Sequence, residues 1–206
     1  MSSVFDVTFF WQVFVTLLVI MDPPGLVPPF LGLTRGLPDP VRRRLAWQAA
    51  LVGLGVIVIF AVFGQSILSY LGVELPSLQA AGGLLLLLVA LQLLTGTYSE
   101  PTEAERTKVN VAFVPLGTPL LAGPGAIVAT MVFVQRASTV AQFVSFAVAL
   151  LAVTVLLWLT MRFSGVILRV LRPSGVELST RIAGLLLSAI AVQLIVEAIK
   201  TFVTNG

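Results

Sequence analysis

Uninterrupted apolar stretches, each about as long as a bilayer is thick, alternate with short charged or turn-rich joints along the chain. A helix needs roughly 20 apolar residues to cross the hydrocarbon core, and the pattern predicts six such spans. Span 1 covers about 8–34, interrupted by Asp22, span 2 about 45–72 and span 3 about 76–97. Span 4 covers about 111–134, span 5 about 139–163 and span 6 about 181–203. Little remains for a soluble domain, so the expected fold class is an all-α, multi-pass membrane protein.

Composition sharpens this picture. Hydrophobic residues make up 58% of the 206 and charged residues 10%, where soluble domains carry about a quarter; mean hydropathy is +1.06. The absence of cysteine and histidine excludes disulfides and thiol catalysis, and removes the usual proton shuttle and the commonest metal ligand. The net charge of +3 sets topology and is not read as a nucleic-acid surface. The joints after spans 1, 3 and 5 hold Arg35, Arg42, Arg43, Arg44, Arg106, Lys108, Arg169, Arg172 and Arg181, against Arg136 and Lys200 on the other side. The positive-inside rule then places those joints in the cytoplasm and both termini outside a cell (inner or plasma) membrane. Trp11, Trp47 and Trp158 fall toward span ends, as interfacial aromatics do. Span 1 lacks the basic leader and A-x-A site of a signal peptide and is expected to be retained.

An offset of about 100 residues reveals an internal repeat. Pro24-Gly25 matches Pro124-Gly125, Ile67-Leu68-x-x-Leu71 matches Ile167-Leu168-x-x-Leu171, and GLLLLLVALQL at 83–93 matches GLLLSAIAVQL at 184–194 in seven of eleven positions. Two three-helix units, 1–100 and 111–206, joined by a cytoplasmic linker at 101–110, must enter the membrane from opposite sides because three is odd. That is the inverted-topology repeat of many secondary transporters, whose sites lie near the midplane at the repeat interface.

Spans 1 and 4 carry the candidate site. Pro23, Pro24, Gly25, Pro28 and Pro29 interrupt the first; Pro115, Gly117, Pro119, Gly123, Pro124 and Gly125 interrupt the second. Proline removes a donor and clashes with the preceding turn, and backbone freed in this way survives in lipid only where protein, a cavity or a ligand satisfies it. Asp22-Pro23 and Gly123-Pro124 read as N-caps followed by N1 prolines, so each break is expected to start a half-helix whose positive end lies at the midplane. A zwitterion suits this inventory, with its carboxylate on N–H groups around Gly25 or Gly125 and its ammonium on Asp22. Asp22, Pro23, Pro24, Gly25 and Leu26, with Gly123, Pro124, Gly125 and Ala126, are the expected substrate-binding residues. Thr118, Gln92 and Gln193 are candidates for the pathway or for helix linkage. A carboxylate at mid-membrane costs about 2.5–3.5 kcal/mol on insertion scales, which favours a functional Asp22, although plain N-capping is the competing reading. Glu197 and Lys200 are spaced as a solvated ion pair.

The Pro-x-Gly-x-x-Pro stretch at Pro23–Pro28 and PLLAGPGAI at 119–127, with the size and six spans, resemble the MarC family, which includes small neutral amino acid transporters. Members commonly carry Asn-Pro where this chain has Asp22-Pro23; Asn caps equally well without charge, so the resemblance does not make a carboxylate obligatory. It implies ion-coupled transport of glycine- or alanine-sized amino acids by alternating access, with H+ or Na+ as coupling ion and no cofactor or metal. Partners are then a small zwitterionic substrate and the lipid bilayer. Substrate identity, direction, coupling ion and oligomeric state stay open, as does export of another small metabolite or a non-transporting scaffold or assembly role. No Walker A loop appears, and one acid without His or Cys is too little for a membrane hydrolase, so no enzyme is expected.

Overall fold

The computed structural model describes residues 5–34, 37–96 and 123–205, and every regular element among them is an α-helix. These are α1 (Val7–Met21), α2 (Val27–Leu33), α3 (Asp39–Leu71), α4 (Leu75–Thr95), α5 (Pro124–Arg136), α6 (Val140–Arg162) and α7 (Ser164–Asn205). Among the described residues α3, α6, Pro76–Thr95 and Ser174–Thr204 are long and apolar enough to cross a membrane, while Val7–Met21 and Gly125–Arg136 are shorter apolar helices. The linker at 101–110 and the first half of span 4, including Thr118, lie outside the described residues.

Helix boundaries follow local chemistry. The Asp6 carboxylate accepts the Phe9 N–H at 2.9 Å and caps α1, and Thr139 accepts from Gln142 to cap α6. Gly72 and Gly96 close α3 and α4 at φ 66 and 70, a left-handed conformation that costs glycine little. Two helices begin earlier than their apolar runs. Asp39 pairs with Arg42 in the first turn of α3, and Glu177 accepts from Arg181 at 2.5 Å, so polar turns extend these helices beyond the hydrocarbon. Within α7, Arg172 breaks helical geometry at φ 57 and ψ 165, directly before Pro173.

Helix α1 buries Phe9, Val13, Leu17 and Met21, one residue per turn on a single face. That stripe packs within one core with α3, α5 and α6. Asp6 also fixes the start of α1 on α6, donating its N–H to Ser145 Oγ at 2.8 Å. The other sides of the helices expose Ile59, Val62, Phe63, Leu84, Leu151, Val155 and Ile199, a surface suited to acyl chains and not to water.

The most extensive seam joins α4 to α7, and nearly every substantial helix pair joins one half of the chain to the other: α1 and α3 on α6, α3 and α4 on α5, α2 on α7. The α4–α7 seam is reciprocal. A Cβ on Gly83 would stand 2.8 Å from the Ala191 carbonyl oxygen and 2.7 Å from Ile195; a Cβ on Gly184 would stand 3.1 Å from the Ala90 carbonyl oxygen and 3.2 Å from Leu94. The offset that relates the two sequence motifs carries Gly83 to Gly184, Ala90 to Ala191 and Leu94 to Ile195. The same offset pairs Leu86, Ala90 and Leu93 with Leu187, Ala191 and Leu194, and these six form one buried cluster. Small residues allow such close approach where lipid supplies no hydrophobic drive.

Candidate functional site

The break in span 1 is built differently from the expected half-helix start. Asp22 closes α1 from the left-handed region, at φ 38 and ψ 72, with its N–H on the Leu18 carbonyl. Residues 23–26 then form turns, with Leu26 N–H on the Asp22 and Pro23 carbonyls and Val27 N–H on the Pro24 carbonyl, and α2 starts at Val27. Asp22 is therefore the C-cap of α1 by its backbone, while its carboxylate reaches forward to the Gly25 N–H three residues on. The proline pair leaves no N–H at 23 or 24, so Gly25 is the first backbone donor open to the carboxylate.

Asp22 is 6% exposed, and among the described residues no cationic side chain pairs with its carboxylate. The Gly25 N–H and the Thr180 hydroxyl stand beside it, and the missing side chain of Gly25 leaves the space that Asp22 and Thr180 share. A buried carboxylate without a counter-charge is costly in a low-dielectric interior, which points to a cation that completes it.

Asp22, Pro23 and Pro24 line a cavity of about 470 Å³, with Leu18 and Val19 of α1, Leu156 and Thr160 of α6, and Ile167, Leu171, Ser179, Ile182, Ala183 and Leu186 of α7. Thr160 spends its proton on the Leu156 carbonyl at 2.9 Å and keeps acceptor capacity. The cavity thus has one charged corner, a few hydroxyls and aliphatic walls.

The remaining candidates divide. Gly25 is half-buried and Leu26 buried in the turn behind the carboxylate. Gly123 caps α5 and Pro124 occupies its first turn, as the sequence suggests. Gly125 and Ala126 are buried, but Gly125 packs against Leu86 and Ile20, so this amino end meets apolar side chains. Ile20 precedes Asp22 by one turn at most, so the start of α5 comes to the level of the end of α1 while facing different neighbours. Gln92 is exposed on α4. Gln193 is exposed on α7 and donates to Glu197 at 3.1 Å. Glu197 pairs across the bundle with Arg136, not with Lys200, because α5 ends beside α7 there. Sequence reasoning missed Ser179 and Thr180, which it left in the joint before span 6; two adjacent hydroxyls ahead of an apolar run were the available signal. Among the described residues no group of His, Cys, Asp or Glu side chains could hold a metal ion.

Residues 7–203 match the MarC family of integral membrane proteins. A UPF0056 membrane protein of Methanocaldococcus jannaschii is 35% identical over 95% of this chain and 98% of its own length. The UPF0056 membrane protein YhcE of Escherichia coli is 31% identical over 97% of this chain and 95% of its own, and one from Archaeoglobus fulgidus is 33% identical over 93% and 92%. No solved structure matches the chain. Relatives in both bacteria and archaea point to the plasma membrane as its location. With the match running through every described helix, the chain belongs to the MarC (UPF0056) family of multi-pass integral membrane proteins.

Proposed function

We propose that this protein is a secondary transporter of small neutral amino acids, of glycine or alanine size, built from two inverted three-helix repeats and working by alternating access. The carrying observation is Asp22: a buried carboxylate with no cationic partner among the described residues, at a helix break, on the wall of a largely apolar cavity. An ammonium group supplies the cation that this carboxylate lacks, and the Ser179 hydroxyl on the cavity wall offers a donor to the carboxylate of the same zwitterion. The aliphatic walls accept an uncharged side chain and would leave a charged one unpaired. Reciprocal packing of Gly83 and Gly184 supports the repeat, because an inverted pair related by an in-plane twofold axis presents the same contacts twice.

The test is counterflow of radiolabelled glycine and alanine in proteoliposomes. Uptake above empty liposomes, competed by small neutral but not acidic or basic amino acids, is the expected result. No uptake across a panel of amino acids and ion gradients would refute the reading and favour a scaffold role. Asp22→Asn then separates the two uses of the carboxylate. A loss of affinity with unchanged pH dependence assigns Asp22 to the substrate ammonium; a flattened pH profile assigns it to proton coupling.

A further inference from the structure

A second, smaller cavity of about 110 Å³ lies toward the other end of the same helices, between Thr16 of α1, Arg136 and neighbouring residues of α5, and Gln193 and Glu197 of α7. From Ser179 in the first cavity to Glu197 in the second, α7 rises about 27 Å. The two cavities follow one seam. Val19 and Leu186 line the first, and Thr16 and Ile190 line the second. Between them Val19, Ile20 and Ile190 close on the buried α4–α7 cluster. About one helical turn of apolar side chains thus divides a single path.

The chemistry of the second cavity is that of a zwitterion with its charges turned outward. Arg136 presents a planar fork of donors suited to a carboxylate, and Glu197 presents a carboxylate suited to an ammonium. In this structure they satisfy each other, with Gln193 donating to the second Glu197 oxygen. Both side chains are partly exposed, at 44% and 32%, and an ion pair in such a setting costs little to open. Ala129, Val132 and Leu194 complete an apolar wall.

We propose that Arg136, Gln193 and Glu197 form a second binding station for the substrate zwitterion, toward the end of α7 opposite the Asp22 cavity, in which the substrate replaces the internal ion pair. This rests on the transport reading and extends it: each face has its own carboxylate, and the path between them runs along α1 and α7. The Arg136–Glu197 pair also links α5 to α7 when the station is empty.

The experiment measures the half-saturating glycine concentration separately for the two faces of right-side-out and inside-out vesicles, for wild type, Arg136→Gln, Glu197→Gln and the exchanged double variant Arg136→Glu with Glu197→Arg. The single variants are expected to raise it about tenfold on the Arg136 face, the loss of one charge-assisted contact, and less than about twofold on the other face. A brace alone would be restored by the exchanged pair, whereas a station stays impaired because its charges are reversed relative to the path. Equal effects on both faces, no effect on either, or full rescue by the exchange would overturn the station. Wild-type vesicles that transport nothing would remove the transport reading and the station together, which separates that failure from the others.

Discussion

At φ 38, Asp22 occupies a backbone region that Asn and Asp enter more readily than other residues with a Cβ. The same side chain is both backbone-compatible and charged, so Asp22→Asn removes the charge and keeps the cap, while Asp22→Ala would also strain the turn. Gly25 carries a second constraint at this corner. A Cβ there would run into the Asp22 carboxylate and stand 3.1 Å from Thr180 Oγ1, so the carboxylate must leave its present position. Gly25→Ala is therefore expected to lower amino acid counterflow about tenfold, equivalent to about 1.4 kcal/mol, while thermal unfolding in detergent moves little. Wild-type counterflow in this variant would show that the Asp22 rotamer is immaterial. The position of Asp22 within a span was legible in the sequence. Its role as the end of α1 was not, because Asp-Pro is the same dipeptide whether it opens a helix or follows one.

At the scale of helices, the seam of α4 and α7 allows a comparison between two nearly equivalent sites. Gly83 faces backbone: a Cβ would meet the Ala191 oxygen at 2.8 Å and the Ile195 nitrogen at 3.2 Å. Gly184 is looser, with its nearest obstruction the Leu93 Cβ at 3.0 Å. Overpacking a tight interface costs about 1–3 kcal/mol. Gly83→Ala should fall in that range and Gly184→Ala below it, read as the shift in unfolding midpoint in detergent. Equal destabilisation would mean that the seam relaxes as a unit. The glycine, alanine and glutamine in register between 83–93 and 184–194 announced that these segments are related. That they pack on each other did not follow, since a repeat fixes likeness and leaves contact to the arrangement of all the helices.

For the whole molecule, the dominant packing across the two halves means that neither half encloses the Asp22 cavity alone: α1 supplies the carboxylate, α6 and α7 the walls. Orientation belongs to this scale as well. The excess of Arg and Lys in the joints after spans 1, 3 and 5 predicts both termini on the extracytoplasmic face. The chain has no cysteine, so single cysteines introduced at Ser3 and Asn205 report on topology directly. Both are expected to react with a membrane-impermeant maleimide in intact cells. Protection of both would reverse the orientation, and protection of one would require an odd number of crossings.

Membrane residence, the helical class, the proline-glycine break after α1 and the likeness of the two segments at 83–93 and 184–194 were determined by the sequence alone. Each is written in local composition, because a bilayer demands long apolar helices and proline interrupts them wherever it falls. Only the tertiary structure decided that Asp22 faces α6 and α7, that Gly125 is sealed against Ile20 and Leu86, and that Glu197 turns to Arg136 and away from Lys200. Those outcomes depend on which helix face meets which neighbour. In a chain whose helices are apolar on nearly every side, periodicity carries little information about that choice, and close packing of small residues settles it.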